Sequence, residues 1–297
     1  MKRVMCIPNY SEGRDLEKVD RIVECFRAKE NVKLVDYQPD KDHNRTVVEV
    51  IGEPEAVIGC LMESVKVAME VIDMRQHEGG HPRMGAVDVV PFIPITDLTT
   101  EDCVGYAQRV GKAIGDLGIP VYLYEDAATS KGRTNLAKVR KGQYEGFFEK
   151  IKEAEWKPDF GPAEMNAKSG CTAVGARFHL IAFNVNLHTT DKAIADAIAK
   201  KVRHIGGGLA KVKAIGLSLE EKGMVQVSMN LVDYRKSAIY QALEMIKFEA
   251  ARYGVQVGET ELIGMVPLQA LVDSAAYYLQ CHELRIDQII ETLLIAE

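Results

Sequence analysis

Long hydrophobic runs are missing from the sequence. No stretch stays apolar for the ~18 residues that a membrane-spanning helix requires. The N-terminus passes directly into an apolar strand pattern, without the charged segment and cleavage site of a secretory signal. We therefore expect a soluble, cytoplasmic protein that does not bind membranes.

Paired cysteines of the C-x-x-C type are also absent. The six cysteines are scattered and lie mostly within apolar runs, at Cys6, Cys25, Cys60, Cys103, Cys171 and Cys281. This distribution is typical of reduced core thiols in a cytosolic protein, because disulfide frameworks and redox motifs need closely spaced pairs.

An excess of positive charge is lacking as well. The 37 Lys and Arg residues are outnumbered by 43 Asp and Glu residues, and both signs are interspersed along a chain of net charge -6. A nucleic-acid binder would show a basic stripe, so we expect no nucleic-acid partner. A polyanionic ligand could still bind, but it would need a locally basic pocket because the protein as a whole is negatively charged.

What the sequence does contain is hydrophobic periodicity that gives both halves the same element order. The first half runs βα, ββα, β, followed by a further helix and strand, and the second half again runs βαββαβ. This is the split-βαβ order. We therefore expect an α/β protein of the α+β type with two ferredoxin-like split-βαβ subdomains, 1–177 and 178–297, each a mainly antiparallel sheet with helices on one face.

The individual elements follow from period and capping signals. The predicted strands lie at 3–8, 33–37, 46–51, 87–95, 120–124, 179–187, 212–219, 224–231 and 261–266. The predicted helices lie at 16–26, 54–72, after Thr99, at 138–155, after Asp191 and at 239–250. The segment 156–170, rich in Gly, Pro and Asn, is predicted to be an ordered functional loop because it is long and lacks periodicity.

Titratable and conformationally permissive residues concentrate in the segment 77–94, HEGGHPRMGAVDVVPFIP. A loop of this composition that enters a buried strand is a common way to present a reacting group at a cleft. His81 precedes the rigid Pro82 and lies beside Arg83. We interpret His81 as a general acid or base next to an anion clamp at Arg83.

The residues from His77 to His81 also match the zinc-hydrolase pattern H-E-x-x-H. That pattern binds zinc only on a helix, where the two histidines lie one turn apart. Gly79 and Gly80 each cost roughly 1 kcal/mol in a helix, and Pro82 disfavours helical angles at the preceding residue. We therefore expect no metal at this site.

Six segments together resemble one known family. They are CIPNYSEGRD at 6–15, HNRTV at 43–47, HPRMGAVDVVPFIP at 81–94, PVYLYEDAA at 120–128, WKPDFGP at 156–162 and LIAFNVNL at 180–187. In this order they resemble glutamate formiminotransferases and the N-terminal half of the bifunctional formiminotransferase-cyclodeaminases. The resemblance extends over nearly the whole chain.

The resemblance implies an enzyme that transfers the formimino group from N-formimino-L-glutamate to N5 of tetrahydrofolate, a co-substrate, with release of L-glutamate. It also implies two α/β subdomains with folate between them, and no metal. One group must accept the N5 proton and deliver a proton to the departing amine. A histidine that titrates near neutrality suits both steps. By the family pattern this residue is His81.

Both substrates end in glutamate carboxylates, so the site needs cations and other anion-binding groups. Arg83 and Arg45 lie in the signature segments, and the resemblance implies that the loop 161–170 contacts folate. The substrate-binding residues that we expect are Gly161, Pro162, Ala163, Glu164, Met165, Asn166, Ala167, Lys168, Ser169, Gly170, Arg45, Asn44 and His43.

This chain departs from the family pattern at two places. The folate loop keeps both terminal glycines but differs inside, which leaves its side-chain contacts open. Mammalian members carry Asp-x-Asp at the end of the second strand, where this chain has Asp36 and, two residues later, Gln38. We expect Asp36 to supply the catalytic carboxylate, with Asp40 and Asp42 as the alternatives, unless the role is absent from this chain. Asp88 is another local carboxylate that could orient a ring nitrogen or cap the following strand.

Two other functions stay open from the sequence. The same site could process 5-formyltetrahydrofolate, since formyl and formimino groups differ only in oxygen versus nitrogen, or the protein could bind folate without catalysis. Related proteins form dimers, so we expect a homodimer active in one-carbon metabolism and histidine degradation. Because the sequence ends at residue 297, we expect a separate cyclodeaminase to consume the product.

Overall fold

The computed structural model describes residues 1–294. The chain divides into two compact units, Met1–Arg177 and a second unit that begins at Phe178. Each unit has its own apolar core. No helix among the described residues is long and apolar enough to cross a membrane.

The first unit contains one seven-stranded mixed sheet. Its strands are β1 (Arg3–Cys6), β2 (Asn9–Tyr10), β3 (Val32–Asp40), β4 (Arg45–Gly52), β5 (Val87–Thr96), β6 (Val121–Glu125) and β7 (Thr172–Ala176). Strands β1 and β2 both lie between β4 and β5, and β3 pairs with the outer edge of β4, all antiparallel. Beyond β5, β7 and then β6 join in parallel.

Five helices accompany this sheet: α1 (Leu16–Glu24), α2 (Pro54–Val71), α3 (Thr100–Asp116), α4 (Leu136–Val139) and α5 (Gln143–Lys150). The Asp15 side chain caps α1 by accepting two backbone N–H groups, and Pro54 supplies the fixed φ favoured in the first turn of α2. Thr99 and Asp102 cap α3 reciprocally. Helix α2 packs between α1 and α3.

Buried and half-buried residues alternate along β4, so that one face of the strand meets the core and the other does not. The buried positions are Thr46, Val48 and Val50, and the half-buried positions between them are Arg45, Val47 and Glu49. Val48 and Val50 share a core with Leu61 of α2, where each fully buried aliphatic side chain contributes roughly 1.5–3 kcal/mol. Arg45 is therefore held at the sheet surface that the α2 core does not use.

The second unit contains a four-stranded antiparallel sheet. Its elements are β8 (Ile181–Leu187), α6 (Lys192–Val202), β9 (Val212–Leu219), β10 (Met224–Leu231), α7 (Ile239–Ala251), β11 (Val257–Ile263) and α8 (Leu268–Tyr278). The strand order is β11-β8-β10-β9. The first unit repeats this order as β5, then β1, then β4, then β3. The predicted α+β class with two split-βαβ subdomains is thus confirmed.

Four elements differ from those predicted from the sequence. The segment predicted as one helix at 138–155 is divided, because Gly142 adopts φ +96° between α4 and α5. Strand β7 and helix α8 were not predicted. The last strand, predicted at 261–266, is Val257–Ile263.

Candidate active site around His81

The loop that carries the two histidines of the H-E-x-x-H pattern is not helical. The buried His77 has both ring nitrogens engaged: Nε2 lies 2.8 Å from the carbonyl oxygen of Asn44, and Nδ1 accepts from Nε of Arg83 at 3.3 Å. Since Nδ1 accepts, Nε2 carries the proton. No group of three or more His, Cys, Asp or Glu side chains arranged to hold a metal occurs within residues 1–294.

His81 is half-buried and incompletely hydrogen-bonded. Its Nδ1 is buried, with no hydrogen-bond partner in the described part of the chain. The ring of His43 lies edge-on to the His81 ring, with centroids 5.8 Å apart and an interplanar angle of 89°. A buried ring nitrogen without a partner costs free energy unless a ligand or water satisfies it.

Burial and, to a smaller extent, the positive charges of Arg45 and Arg140 together lower the pKa of His81 to about 4. The carboxylate of Asp88 opposes this shift. The imidazole of the ligand-free protein is therefore neutral at neutral pH, with a lone pair free to accept a proton.

Arg140 is a site residue that the sequence analysis missed. It forms a buried ion pair with Asp88, whose other carboxylate oxygen accepts the backbone N–H of Met84 at 2.9 Å. The Nε atom of Arg140 is buried and unpartnered among residues 1–294. Asp88 thus ties the chain just beyond His81 to the turn that follows α4 and holds a cation near the imidazole.

Arg45 supplies the second cation. Burial and the nearby charge of Arg140 together lower its pKa to about 10. Its Nε is buried and finds no partner among the described residues. Arg45 lines a cavity of about 470 Å³, whose walls also include Gln38, Asp40 and His43. Two incompletely paired guanidinium groups near a neutral imidazole are suited to an anionic substrate.

The two acidic residues of β3, Asp36 and Asp40, differ in their hydrogen-bond partners. Oδ2 of Asp36 accepts from the side-chain amide of Gln38 at 2.8 Å, and Asp36 is not among the residues that line the cavity. Oδ2 of Asp40 instead lies 2.7 Å from Nδ1 of His43, and its Oδ1 accepts the backbone N–H groups of Asp42 and His43. The geometry therefore favours Asp40, one of the two expected alternatives, over Asp36 as the carboxylate of this site.

Arg83 has no donor left for a substrate. Its Nη1 and Nη2 donate to the two carboxylate oxygens of Glu145 at 2.9 and 2.6 Å, and also to the side chain of Gln143 and the carbonyl of His77. With Nε on His77, all five N–H groups are engaged. This geometry does not support the expected anion clamp. Arg83 instead fixes the loop that carries His81 to α5.

Asn44 and Gly79 bring three loops together. The Asn44 side chain accepts the backbone N–H of Gly13 at 3.0 Å and donates to the carbonyl of Glu78 at 2.9 Å. Its φ of +49° is a conformation that Asn tolerates. A Cβ at Gly79 would overlap the carbonyl oxygen of His43. Asn44, expected as a substrate ligand, therefore uses its side chain to position His43 and His81.

The expected folate loop, 161–170, is anchored at both ends by glycines with positive φ, Gly161 at +82° and Gly170 at +71°. Asn166 organises its interior by accepting the backbone N–H groups of Lys168 and Ser169. The carbonyl of Ser169 accepts the N–H of Ala86 at 2.8 Å. The loop therefore joins the chain five residues beyond His81.

The side chains of this loop divide into anchored and exposed groups. Met165 and Ser169 are buried, and Lys168 donates to the carbonyl of Glu70 at 3.0 Å. The exposed positions are Gly161, Pro162, Ala163, Glu164, Ala167 and Lys168. A ligand at this loop would meet the stretch 161–164 most directly.

Comparison with known proteins shows which family the chain matches. The model of the formiminotransferase domain, N-terminal subdomain, matches residues 3–177, and that of the formiminotransferase domain matches residues 182–296. Glutamate formimidoyltransferase of Streptococcus pyogenes serotype M1 is 49% identical over 283 residues, which cover 95% of this chain and 95% of that protein. The protein of the same name from Thermoplasma acidophilum is 47% identical, over 94% of this chain and 93% of that protein.

A longer relative shows the same similarity over part of its length. Formimidoyltransferase-cyclodeaminase of Rattus norvegicus is 42% identical over 282 residues, which cover 93% of this chain and 52% of that protein. This chain thus spans about half of the rat protein. With family models over both units and full-length relatives at this identity, the chain belongs to the formiminotransferase family.

Proposed function

We propose that the protein transfers the formimino group from N-formimino-L-glutamate to N5 of tetrahydrofolate, giving 5-formiminotetrahydrofolate and L-glutamate. The names of the relatives and the family support this assignment. The single observation that carries it in the structure is His81, a half-buried neutral imidazole with an unpartnered nitrogen, whose pKa is lowered by burial and by the charges of Arg45 and Arg140.

The proton movements of this reaction need one group that first accepts and then donates a proton. From the sequence we expected a histidine that titrates near neutrality, whereas burial and the charges of Arg45 and Arg140 lower the pKa of His81 to about 4. Attack of N5 on the amidine carbon forms a C–N bond and leaves a proton on N5, which is strongly acidic because N5 is an arylamine nitrogen. His81, neutral at pH 7, accepts that proton. The protonated imidazole then donates to the glutamate nitrogen as its C–N bond breaks. A pKa near 4 makes His81 a weak base but a strong acid, which favours the second transfer.

The surrounding residues position the substrates. Arg45 and Arg140 attract the carboxylates of N-formimino-L-glutamate, and the low dielectric around these buried groups strengthens the attraction. Asp40 holds His43 against one side of the His81 ring. The exposed stretch 161–164 offers backbone groups to the folate.

Three assays test the proposal. The first measures glutamate release from N-formimino-L-glutamate and tetrahydrofolate. The matched variants are His81→Asn and His204→Asn, the second at an exposed histidine of the other unit. We expect His81→Asn to slow turnover by roughly 10²- to 10⁴-fold, the range for general acid-base catalysis, and His204→Asn to leave it unchanged.

The second assay replaces the donor with 5-formyltetrahydrofolate, and the third measures folate binding alone. Turnover of the formyl donor without glutamate release from N-formimino-L-glutamate would replace the proposed reaction by formyl transfer. Folate binding without turnover of either donor would indicate a folate-binding protein.

A further inference from the structure

Lys150, the last residue of α5, turns its ammonium group back toward the end of α4. Its Nζ atom donates to the backbone carbonyls of Val139 at 2.6 Å, Lys141 at 3.0 Å and Lys138 at 3.1 Å. An ammonium group has three N–H donors, so all three are engaged. The three carbonyls belong to the residues directly before and after Arg140, whose side chain lies at the site.

Helix α4 is too short to satisfy its own end. It consists of four residues, Leu136–Val139, and the last four carbonyls of any α-helix have no partner inside that helix. Arg140 is its C-cap residue, and Gly142, with φ +96°, then turns the chain into α5. Lys150 therefore supplies from α5 the donors that this turn lacks.

The ammonium group of Lys150 is half-buried and lies over two aromatic rings. It is 3.8 Å from the ring centroid of Trp156 and 4.5 Å from that of Phe147. Burial lowers the pKa of Lys150 to about 8, which leaves the group protonated at neutral pH. A cation is stable in such a place only when other contacts replace its hydration. Here the three carbonyls and the two rings replace it, so the ammonium group is closely held.

The position of Arg140 affects the ionisation of His81. The Arg140 side chain pairs with Asp88, and its Nε is buried with no partner among residues 1–294. The charge of Arg140 lowers the pKa of His81, and the carboxylate of Asp88 raises it. A guanidinium group that moved away would remove the first effect and strengthen the second. The pKa of His81 therefore reports whether Arg140 keeps its place.

We propose that Lys150 is a positioning residue, which holds the backbone on both sides of Arg140 and so keeps the Arg140 guanidinium near His81 and ready for a substrate carboxylate. Lys150 acts through Arg140 and needs no contact with either substrate. The effect on the pKa of His81 does not depend on which reaction the site performs. The effect on substrate binding rests on the proposed function.

The variant Lys150→Met tests this role. It keeps an unbranched apolar side chain against the ring of Trp156 but removes every donor to the three carbonyls. NMR titration of the His81 ring protons in the ligand-free full chain gives the pKa of His81, and glutamate release gives the KM of N-formimino-L-glutamate. We expect this pKa to rise from about 4 toward the ordinary value near 6.5. The KM should rise roughly ten-fold, the effect of one weakened hydrogen bond between charged groups.

Two controls separate positioning from a general loss of stability. Lys152→Met removes an exposed lysine two residues further on, whose Nζ pairs with Glu149 at 2.7 Å. Ile22→Val trims a buried side chain of α1 and should lower the Tm. Both variants should keep the wild-type pKa of His81 and the wild-type KM of N-formimino-L-glutamate.

A pKa of His81 that stays near 4 in Lys150→Met would overturn the inference, because Arg140 would then keep its place without the ammonium group. So would an equal rise in Ile22→Val, which would trace the shift to lower stability. If Lys150→Met does not fold, Lys150→Gln, which keeps two N–H donors, undergoes the same titration. Its pKa of His81 should rise by a smaller amount, and an unchanged value would again overturn the inference.

A failure of the proposed function would look different. Wild-type protein that releases no glutamate from N-formimino-L-glutamate would contradict the proposed reaction. The titration of His81 needs no substrate, so it would still decide whether Lys150 positions Arg140.

Discussion

The rings of His43 and His81 meet edge to face, 5.8 Å between centroids and 89° between planes. His43 is itself held by Asp40 through a 2.7 Å contact at Nδ1. The orientation of the proposed acid-base group thus depends on a carboxylate that does not bond to it. We therefore expect Asp40, rather than Asp36, to be the acidic residue of β3 that matters for turnover.

We predict that Asp40→Asn lowers kcat by roughly 10- to 100-fold, because a loosened His43 no longer restrains the His81 ring, and small displacements at a reacting group are costly. Asp36→Asn, which changes a side chain bonded to Gln38 and Tyr37 rather than to His43, should keep a kcat close to wild type. Steady-state glutamate release by the two variants measures the difference. A larger loss in Asp36→Asn than in Asp40→Asn would restore Asp36 as the catalytic carboxylate.

Arg45 is predicted to control the protonation of His81. Its charge lowers the pKa of His81, so Arg45→Met should raise that pKa from about 4 toward the ordinary histidine value near 6.5. Arg45→Lys keeps the charge and should keep the pKa low. The NMR titration of the His81 ring protons reports both values, and an equal pKa in the two variants would show that the charge of Arg45 does not contribute to it.

The elements of the two units could be predicted largely because their residues are periodic. Val48 and Val50 alternate with half-buried residues, and Thr99 marks the start of α3. Strand β7 has no such signal, since Ala173 and Gly175 are small and all five of its residues are buried, as expected of a strand paired on both sides.

The site could be predicted only in part, for a different reason. His81 and His43 lie in a conspicuous loop and a signature segment. Arg140 lies in a charged segment 52 residues from Asp88, and only the fold brings the two together. Nothing local distinguishes the guanidinium of Arg83, which is used entirely inside the protein, from that of Arg45, which keeps a donor free.

Gly79 provides a test of the close approach between loops. A methyl group at Gly79 would overlap the carbonyl of His43, whereas at Gly80 the nearest heavy atom would be the carbonyl oxygen of Asp42 at 3.5 Å. We predict that Gly79→Ala lowers the free energy of unfolding by roughly 1–3 kcal/mol, the usual cost of overpacking, and also lowers kcat.

Gly80→Ala is the matched control and should be close to wild type in both the free energy of unfolding and kcat. Denaturant unfolding and glutamate release measure the two properties. Equal effects of the two substitutions would mean that the contact with His43 does not position the loop.

Mutations of the two partners in the Arg83–Glu145 ion pair should lower the free energy of unfolding by very different amounts. The Arg83 side chain is 10% exposed and the Glu145 side chain 63%. Glu145→Gln should cost at most about 1 kcal/mol of unfolding free energy, as for other exposed carboxylates. Arg83→Met leaves His77 without its donor and should cost roughly 1–3 kcal/mol. Urea denaturation compares them, and a larger loss in Glu145→Gln would contradict the assigned role of Arg83.

His81 should also influence acid stability. Its pKa is about 4 in the folded protein and about 6.5 when unfolded. Between these values the unfolded chain binds more protons, so protonation favours unfolding as pH falls. We predict that the unfolding free energy of wild type falls more steeply than that of His81→Asn from pH 7 to pH 4. Parallel curves would show that His81 has an ordinary pKa in the folded state.

The pH dependence of kcat/KM for glutamate release tests the central claim most directly, because it reports the ionisation of the free enzyme. With His81 as the essential base, kcat/KM should fall only at acidic pH. The apparent pKa of this acidic limb should lie well below 6.5 and toward 4, and Arg45→Met should raise it. A limb that remains at 6.5 in wild type, or full turnover in His81→Asn, would contradict the account.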